Sequence, residues 1–170
     1  MLVGRKHWNA LMNCFKKRFY TPRTFFHDLR EVLSGLPSFR DTAHSGRVSR
    51  AFAEKIMLAV TRVNGCRYCA YGHTRVAMKE GVAPEEIERI MAAKLGDFAE
   101  QEAVALAFAL HWAETAGRTD PEAERRFREY YGPVISGDIL NWMRMIQMGN
   151  LMGNTLDAVL YRLGFCRSQT

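Results

Sequence analysis

Residues 47–80 read RVSRAFAEKIMLAVTRVNGCRYCAYGHTRVAMKE, and this stretch decides the fold. AFAEKIMLAV, residues 51–60, is apolar except for Glu54 and Lys55 and shows no strand-like alternation. Gly65 follows it, where a helix of that length is expected to end on a left-handed residue. Beyond the glycine, Cys66, Cys69 and His73 are spaced three and four apart, the spacing of neighbours on one helical face. The stretch therefore predicts two helices, over 47–63 and 66–80, joined at one glycine.

Working outward, the rest of the chain carries the same punctuation. Gly35, Gly65, Gly81, Gly96, Gly117, Gly132 and Gly164 each follow a stretch of helical periodicity. Pro22, Pro84 and Pro121 fall at first-turn positions, the last behind Thr119 and Asp120 as candidate caps. Asp97 and Glu100 have the spacing of a capping box. Further helices are expected over 5–19, 22–34, 84–95, 98–116, 121–131 and 137–163, the last broken or bent near Gly149 and Gly153. The fold class is all-α: one helical domain over residues 21–170, with a basic amphipathic extension over residues 1–20.

A chain of 170 residues can bury a core without disulfide staples. No run approaches the roughly 18 apolar residues of a membrane span, and the N-terminus has no continuous apolar signal segment. A cytoplasmic protein is expected. Residues 1–30 hold Arg5, Lys6, Lys16, Lys17, Arg18, Arg23 and Arg30 against Asp28 alone, which accounts for the whole net charge of +6. The body is neutral, which argues against nucleic-acid binding. In the extension, Trp8, Leu11, Met12, Phe15 and Phe19 form an apolar stripe beside Lys16, Lys17 and Arg18. An arm packing on its own domain or on a neighbouring subunit is the expected role, with an anionic membrane surface as the alternative. Met143, Met145, Met148 and Met152 read as adaptable core or interface packing.

Only one close cysteine pair exists; Cys14 and Cys166 sit singly near the two ends and read as free thiols. At about 100° per residue, Cys66, Cys69 and His73 share an arc of roughly 60° that borders the apolar side of their helix. Cys66 and Cys69 are near enough to join as a disulfide, and Cys69 and His73 to share a proton. Cys66 lies in the first turn, where free N–H groups and the helix dipole favour a thiolate. Glu54 shares a face with Met57 and Leu58, so its carboxylate points inward and needs a partner such as His73. These residues suggest a relay in which Glu54 orients His73 and His73 takes a proton from Cys69 or an adjacent water. Two other readings stand beside it. The cysteines are inert core, or Cys66, Cys69, His73 and Glu54 hold zinc, although no second Cys-x-x-Cys or His-x-x-His completes the usual set. Glu54 alone could instead pair with Arg50 at the surface. His111, beside Trp112, reads as a satisfied histidine at a helix end.

The pattern Glu-(x11)-Cys-x-Tyr-Cys-x3-His, from Glu54 to His73, is followed by EGVAPEEIERIM over residues 80–91 and FAEQEAVALAF over residues 98–108. Together these resemble the AhpD-like alkylhydroperoxidase branch of the carboxymuconolactone decarboxylase superfamily, best over residues 47–115. The resemblance implies an all-helical bundle that assembles as a homo-trimer or homo-hexamer; no bound organic cofactor or metal is expected. It implies an antioxidant oxidoreductase, a peroxidase with a redox-active disulfide. Cys69 would attack a hydroperoxide and become a sulfenic acid, Cys66 would resolve it to a disulfide, and an external lipoyl or thioredoxin-like dithiol would restore the thiols. A redox-sensing or scaffolding oligomer, or an enzyme of this superfamily acting on another small substrate, are the alternatives. The chain departs from the best-characterised members at Tyr68, where they carry a second histidine.

Overall fold

In the computed structural model, residues 17–163 are described, and they form six helices and no strand. These are α1 (Pro22–Ser45), α2 (Arg50–Asn64), α3 (Arg67–Lys79), α4 (Pro84–Met91), α5 (Glu100–Glu114) and α6 (Pro121–Arg162). The expected all-α class holds.

The central element is α2. From Ala53 to Thr61 every residue is buried, so the helix is enclosed on all sides rather than laid on a surface. Its ends follow from local chemistry: the Ser49 hydroxyl accepts the Phe52 N–H at 3.2 Å, and Gly65 takes φ 67° at the other end. Helices α3, α4, α5 and α6 all pack against it. Phe108 of α5 stacks on Phe127 of α6 with ring centres 4.0 Å apart. Lys55, buried in α2, is held by Glu86 of α4 and Glu102 of α5, each at 2.8 Å. Helix α1 is fastened to α6 through Thr42, which donates to Asp138 at 2.7 Å, and through Asn141, which donates to Ser38 and Thr42.

Several expected boundaries are corrected. Helix α1 does not stop at Gly35 but runs through Gly35 and Pro37 to Ser45, and left-handed Gly46 (φ 66°) ends it. Gly35 serves packing instead: a Cβ there would stand 2.8 Å from Phe39 Cε2. Helix α4 stops at Met91 rather than at residue 95, with Ala93, not Gly96, at positive φ. Asp97 caps nothing, since Ala99 is the N-cap of α5 and Glu100 already lies in the first turn. Asp120 does cap α6, accepting the N–H groups of Glu122 and Ala123 at 3.0 Å. Helix α6 is broken at Gly132 (φ 73°, ψ 167°), and Pro133 restarts it at once, so no linker runs to residue 137. Gly149 and Gly153 keep helical backbone angles, so the helix is not broken there. Most of the helix expected over 5–19, together with Cys14 and Cys166, lies outside the described residues; Lys17 to Phe19 are not helical.

Lys17–Thr21 form a strap across the bundle. The Arg18 guanidinium donates to the carbonyls of Ala113 and Glu114 at the C-terminal end of α5. The Arg18 carbonyl accepts from Asn154 at 2.9 Å, and the Tyr20 N–H donates to Thr155 at 2.9 Å.

Candidate active site

The joint between α2 and α3 is where this packing matters most. Cys66 is the N-cap of α3, in extended conformation, and its Sγ accepts the Cys69 N–H at 3.3 Å. That is the position where a helix N-terminus stabilises negative charge on sulfur. Cys66 and Cys69 are joined as a disulfide, with Cα atoms 5.4 Å apart. Their surroundings differ. Cys66 is 1% exposed, whereas Cys69 is half-buried.

His73 lies one turn beyond Cys69 on α3. Its Nδ1 is 2.7 Å from Glu54 Oε2, and the Glu54 side chain is 2% exposed while that of His73 is 27% exposed. An ionised carboxylate only accepts hydrogen bonds, so where Glu54 is ionised Nδ1 is the donor of this bond. With Nδ1 engaged by Glu54, Nε2 is the second ring nitrogen, free of that hydrogen bond. Arg50, on the same helix, stands 3.9 Å from the other Glu54 oxygen. Glu54 therefore faces inward to the histidine and keeps a weaker contact with the arginine.

The structure thus brings Glu54 and His73 together, and Cys66 and Cys69 together, on two helices that meet at Gly65. Among the described residues no group of three or more His, Cys, Asp or Glu side chains is arranged to hold a metal ion. His111 Nε2 is 3.6 Å from Asp120, at the start of α6 and away from the cysteines.

What α6 brings to this joint is not legible in the motif. A Cβ built on Gly153 of α6 would lie 2.6 Å from Cys66 Sγ and 3.8 Å from Cys69 Sγ, so only glycine admits α6 this close to the sulfurs. One turn further on, buried Asp157 accepts from Tyr68 at 2.8 Å, from Arg67 at 2.7 Å and from Lys17 at 3.4 Å. Burial alone would raise the Asp157 carboxyl, but the Tyr68 hydrogen bond and the charges of Arg67 and Lys17 hold it below the usual range. A signal was present: Asn150, Asn154 and Asp157 form a polar stripe at helical spacing, and all three are buried. Asn154 donates to the Asn64 carbonyl at 2.8 Å and Asn64 donates to Gln147 at 2.6 Å, which fixes the joint against α6.

Fold and site together define an all-helical protein with a linked cysteine pair beside a buried carboxylate–imidazole pair. The model of the carboxymuconolactone decarboxylase family matches residues 30–116, about half of the chain, and the protein belongs to that family. No curated protein and no solved structure matches the chain. The matched span holds Glu54, Cys66, Cys69 and His73, whereas Gly153 and Asp157 lie beyond it.

Proposed function

We propose that the protein is a thiol-dependent peroxidase of the alkylhydroperoxidase kind. The observation that carries this is the Glu54–His73 hydrogen bond of 2.7 Å, one helical turn from a cysteine pair already joined as a disulfide. In the reduced enzyme the Cys69 thiol, the more accessible of the two, gives its proton to His73 Nε2, and Glu54 supports the imidazolium that forms. The thiolate attacks the terminal peroxide oxygen, the O–O bond breaks, and the alcohol leaves with a proton. Cys66 then attacks the sulfenic acid, releasing water and forming the disulfide. Two thiols of an external dithiol return both cysteines to the reduced state. The site uses no organic cofactor or metal in this scheme. Tyr68, hydrogen-bonded to Asp157, takes no part in the proton transfer, so the relay rests on one histidine.

The expected result is hydroperoxide consumption in the presence of a dithiol, lost in Cys69→Ser and in Cys66→Ser. It should fall about 10- to 100-fold in Glu54→Gln, which keeps the shape but removes the charge. Equal turnover in all four proteins would refute the peroxidase.

The same reading includes assembly as a homo-trimer or homo-hexamer. Met152, Leu156 and Val159 on α6 and Leu163 at its C-cap are exposed at i, i+4, i+7 and i+11, and Phe26, Leu33 and Leu36 are exposed on α1. Two such stripes on one small chain fit contact between copies. Light scattering of the purified protein that gives a monomer at micromolar concentration would exclude this.

A further inference from the structure

The peroxidase scheme leaves the charged cluster around Asp157 without a task. Lys17 and Arg67 bring two positive charges to the Asp157 carboxylate. Both head groups reach solvent, with side chains 36% and 46% exposed. Their position relative to the sulfurs is fixed by three contacts. Asp157 stands one turn, about 6 Å, from Gly153 on α6. Gly153 meets both sulfurs and the edge of the Tyr68 ring. The Lys17 side-chain carbons pass 3.7–3.8 Å from where a Cβ on Gly65 would be, beside Cys66.

The two sulfurs are unequal targets. Cys66 is sealed against α6, and its sulfur sits on the N-terminal N–H of α3. Cys69 is the sulfur an incoming thiolate can reach, and Cys66 is the better leaving group because the helix N-terminus receives its charge.

We propose that Lys17 and Arg67, held in place by Asp157, select a thiol carrying an additional negative charge as the reductant of the Cys66–Cys69 disulfide. This rests on the thiol–disulfide half of the proposed function and not on peroxide chemistry. The donor thiolate bonds to Cys69 Sγ, the Cys66–Cys69 bond breaks, and Cys66 leaves as a thiolate. A second donor thiolate then attacks the donor sulfur of the mixed disulfide, which yields the donor disulfide and the Cys69 thiolate. The two protons lost by the donor thiols end on Cys66 and Cys69.

The test uses three thiols of one skeleton: 2-mercaptoethanesulfonate, 2-mercaptoethanol and 2-aminoethanethiol. Rates of Cys66–Cys69 reduction in the full-length protein are measured per thiolate, and each is divided by its rate with a small neutral disulfide. At low ionic strength the normalised rates should fall from sulfonate to alcohol to ammonium, by about twofold to threefold per step, and converge in about 0.5 M salt. Lys17→Gln and Arg67→Gln should each flatten the order. Asp157→Asn, which adds a net positive charge, should steepen it, a direction that mere loosening of the cluster would not produce. Equal normalised rates in the wild-type protein at low salt would overturn the proposal. So would an order that survives both high salt and Lys17→Gln. A disulfide that none of the three thiols reduces would instead refute the thiol–disulfide reading beneath it.

Discussion

Replacing Gly153 with alanine tests whether α6 is fitted to the closed form of the cysteine pair. In an exposed helix interior, alanine in place of glycine stabilises by about 1 kcal/mol. Here the new carbon would stand 3.6 Å from Tyr68 Cδ2 and 3.8 Å from Cys69 Sγ, which are ordinary contacts, but 2.6 Å from Cys66 Sγ. The last is about 1 Å inside any normal approach. A Cys66 sulfur bonded to Cys69 cannot turn away, whereas an unlinked thiol can move to another staggered rotamer. The overpacking cost, about 1–3 kcal/mol, therefore falls on the oxidised protein. For a two-electron couple 30 mV corresponds to about 1.4 kcal/mol, so the reduction potential should rise by about 20–60 mV.

The assay is equilibration in glutathione buffers of graded potential, with alkylated cysteines counted by mass, and thermal unfolding of each redox form beside it. The reduced variant should gain Tm or hold it, and the oxidised variant should lose Tm relative to it. An unchanged potential, with both forms stabilised equally, would show that Gly153 is an ordinary helix glycine and that α6 does not press on Cys66.

Three further outcomes test the frame around the site. Lys55→Met removes the cation between Glu86 and Glu102; because both carboxylates keep some solvent contact, the cost should be about 2–3 kcal/mol, read as a lower denaturant midpoint, and an unchanged midpoint would count against the buried triad. Gly132→Ala places a side chain at φ 73°, ψ 167° immediately before Pro133, and should cost about 1–3 kcal/mol by the same measurement; a neutral result would mean that α6 does not need this break. The Arg47 guanidinium, with help from the Thr42 hydroxyl, holds the Asp138 carboxyl below its usual value of 3.8. A carboxylate depressed in the folded state adds stability above its unfolded value and loses it as pH falls through the folded one. The stability difference between wild type and Asp138→Asn should therefore be constant above about pH 5 and shrink below about pH 4; denaturant curves across that range that stay parallel would refute the clamp.

What was legible in the sequence was local. Ser49, Gly65 and the apolar run between them are enough to set α2, and a lone carboxylate within that run has few places to go. Glu54 is therefore readable as a buried partner before any coordinates exist. Gly35 misleads for the opposite reason. Glycine and proline close together resemble a stop, but the ring of Phe39 fills the space over Gly35 and the helix continues to Gly46. Gly153 misleads in the same way: it suggests a bend and instead permits a close approach to sulfur. Asp157 could not be placed, because its three partners come from the strap and from the start of α3, and Lys17 is 140 positions away. Contacts of that reach leave only the buried polar stripe of Asn150, Asn154 and Asp157 as a trace.

The polar residues of α2 also show why one of its buried charges reads as chemistry and the other as architecture. Each is matched by a neighbouring helix: Glu54 by α3, Lys55 by α4 and α5, Thr61 and Asn64 by α6. Lys55 lies between two carboxylates. Burial would lower its pKa, but the hydrogen bonds to Glu102 and Glu86 outweigh that and raise it, so it stays charged at any physiological pH. Such a group fixes three helices in register and has no proton to exchange. Glu54 meets a group of another kind. Its single histidine partner is partly open to solvent, presents a second nitrogen, and lies one turn from a sulfur. A buried carboxylate whose partner can still pass a proton outward is the arrangement a thiol needs to become a thiolate. The proposed function therefore rests on the pairing of Glu54 with His73, and the charge on Lys55 belongs to the scaffold that holds that pairing in place.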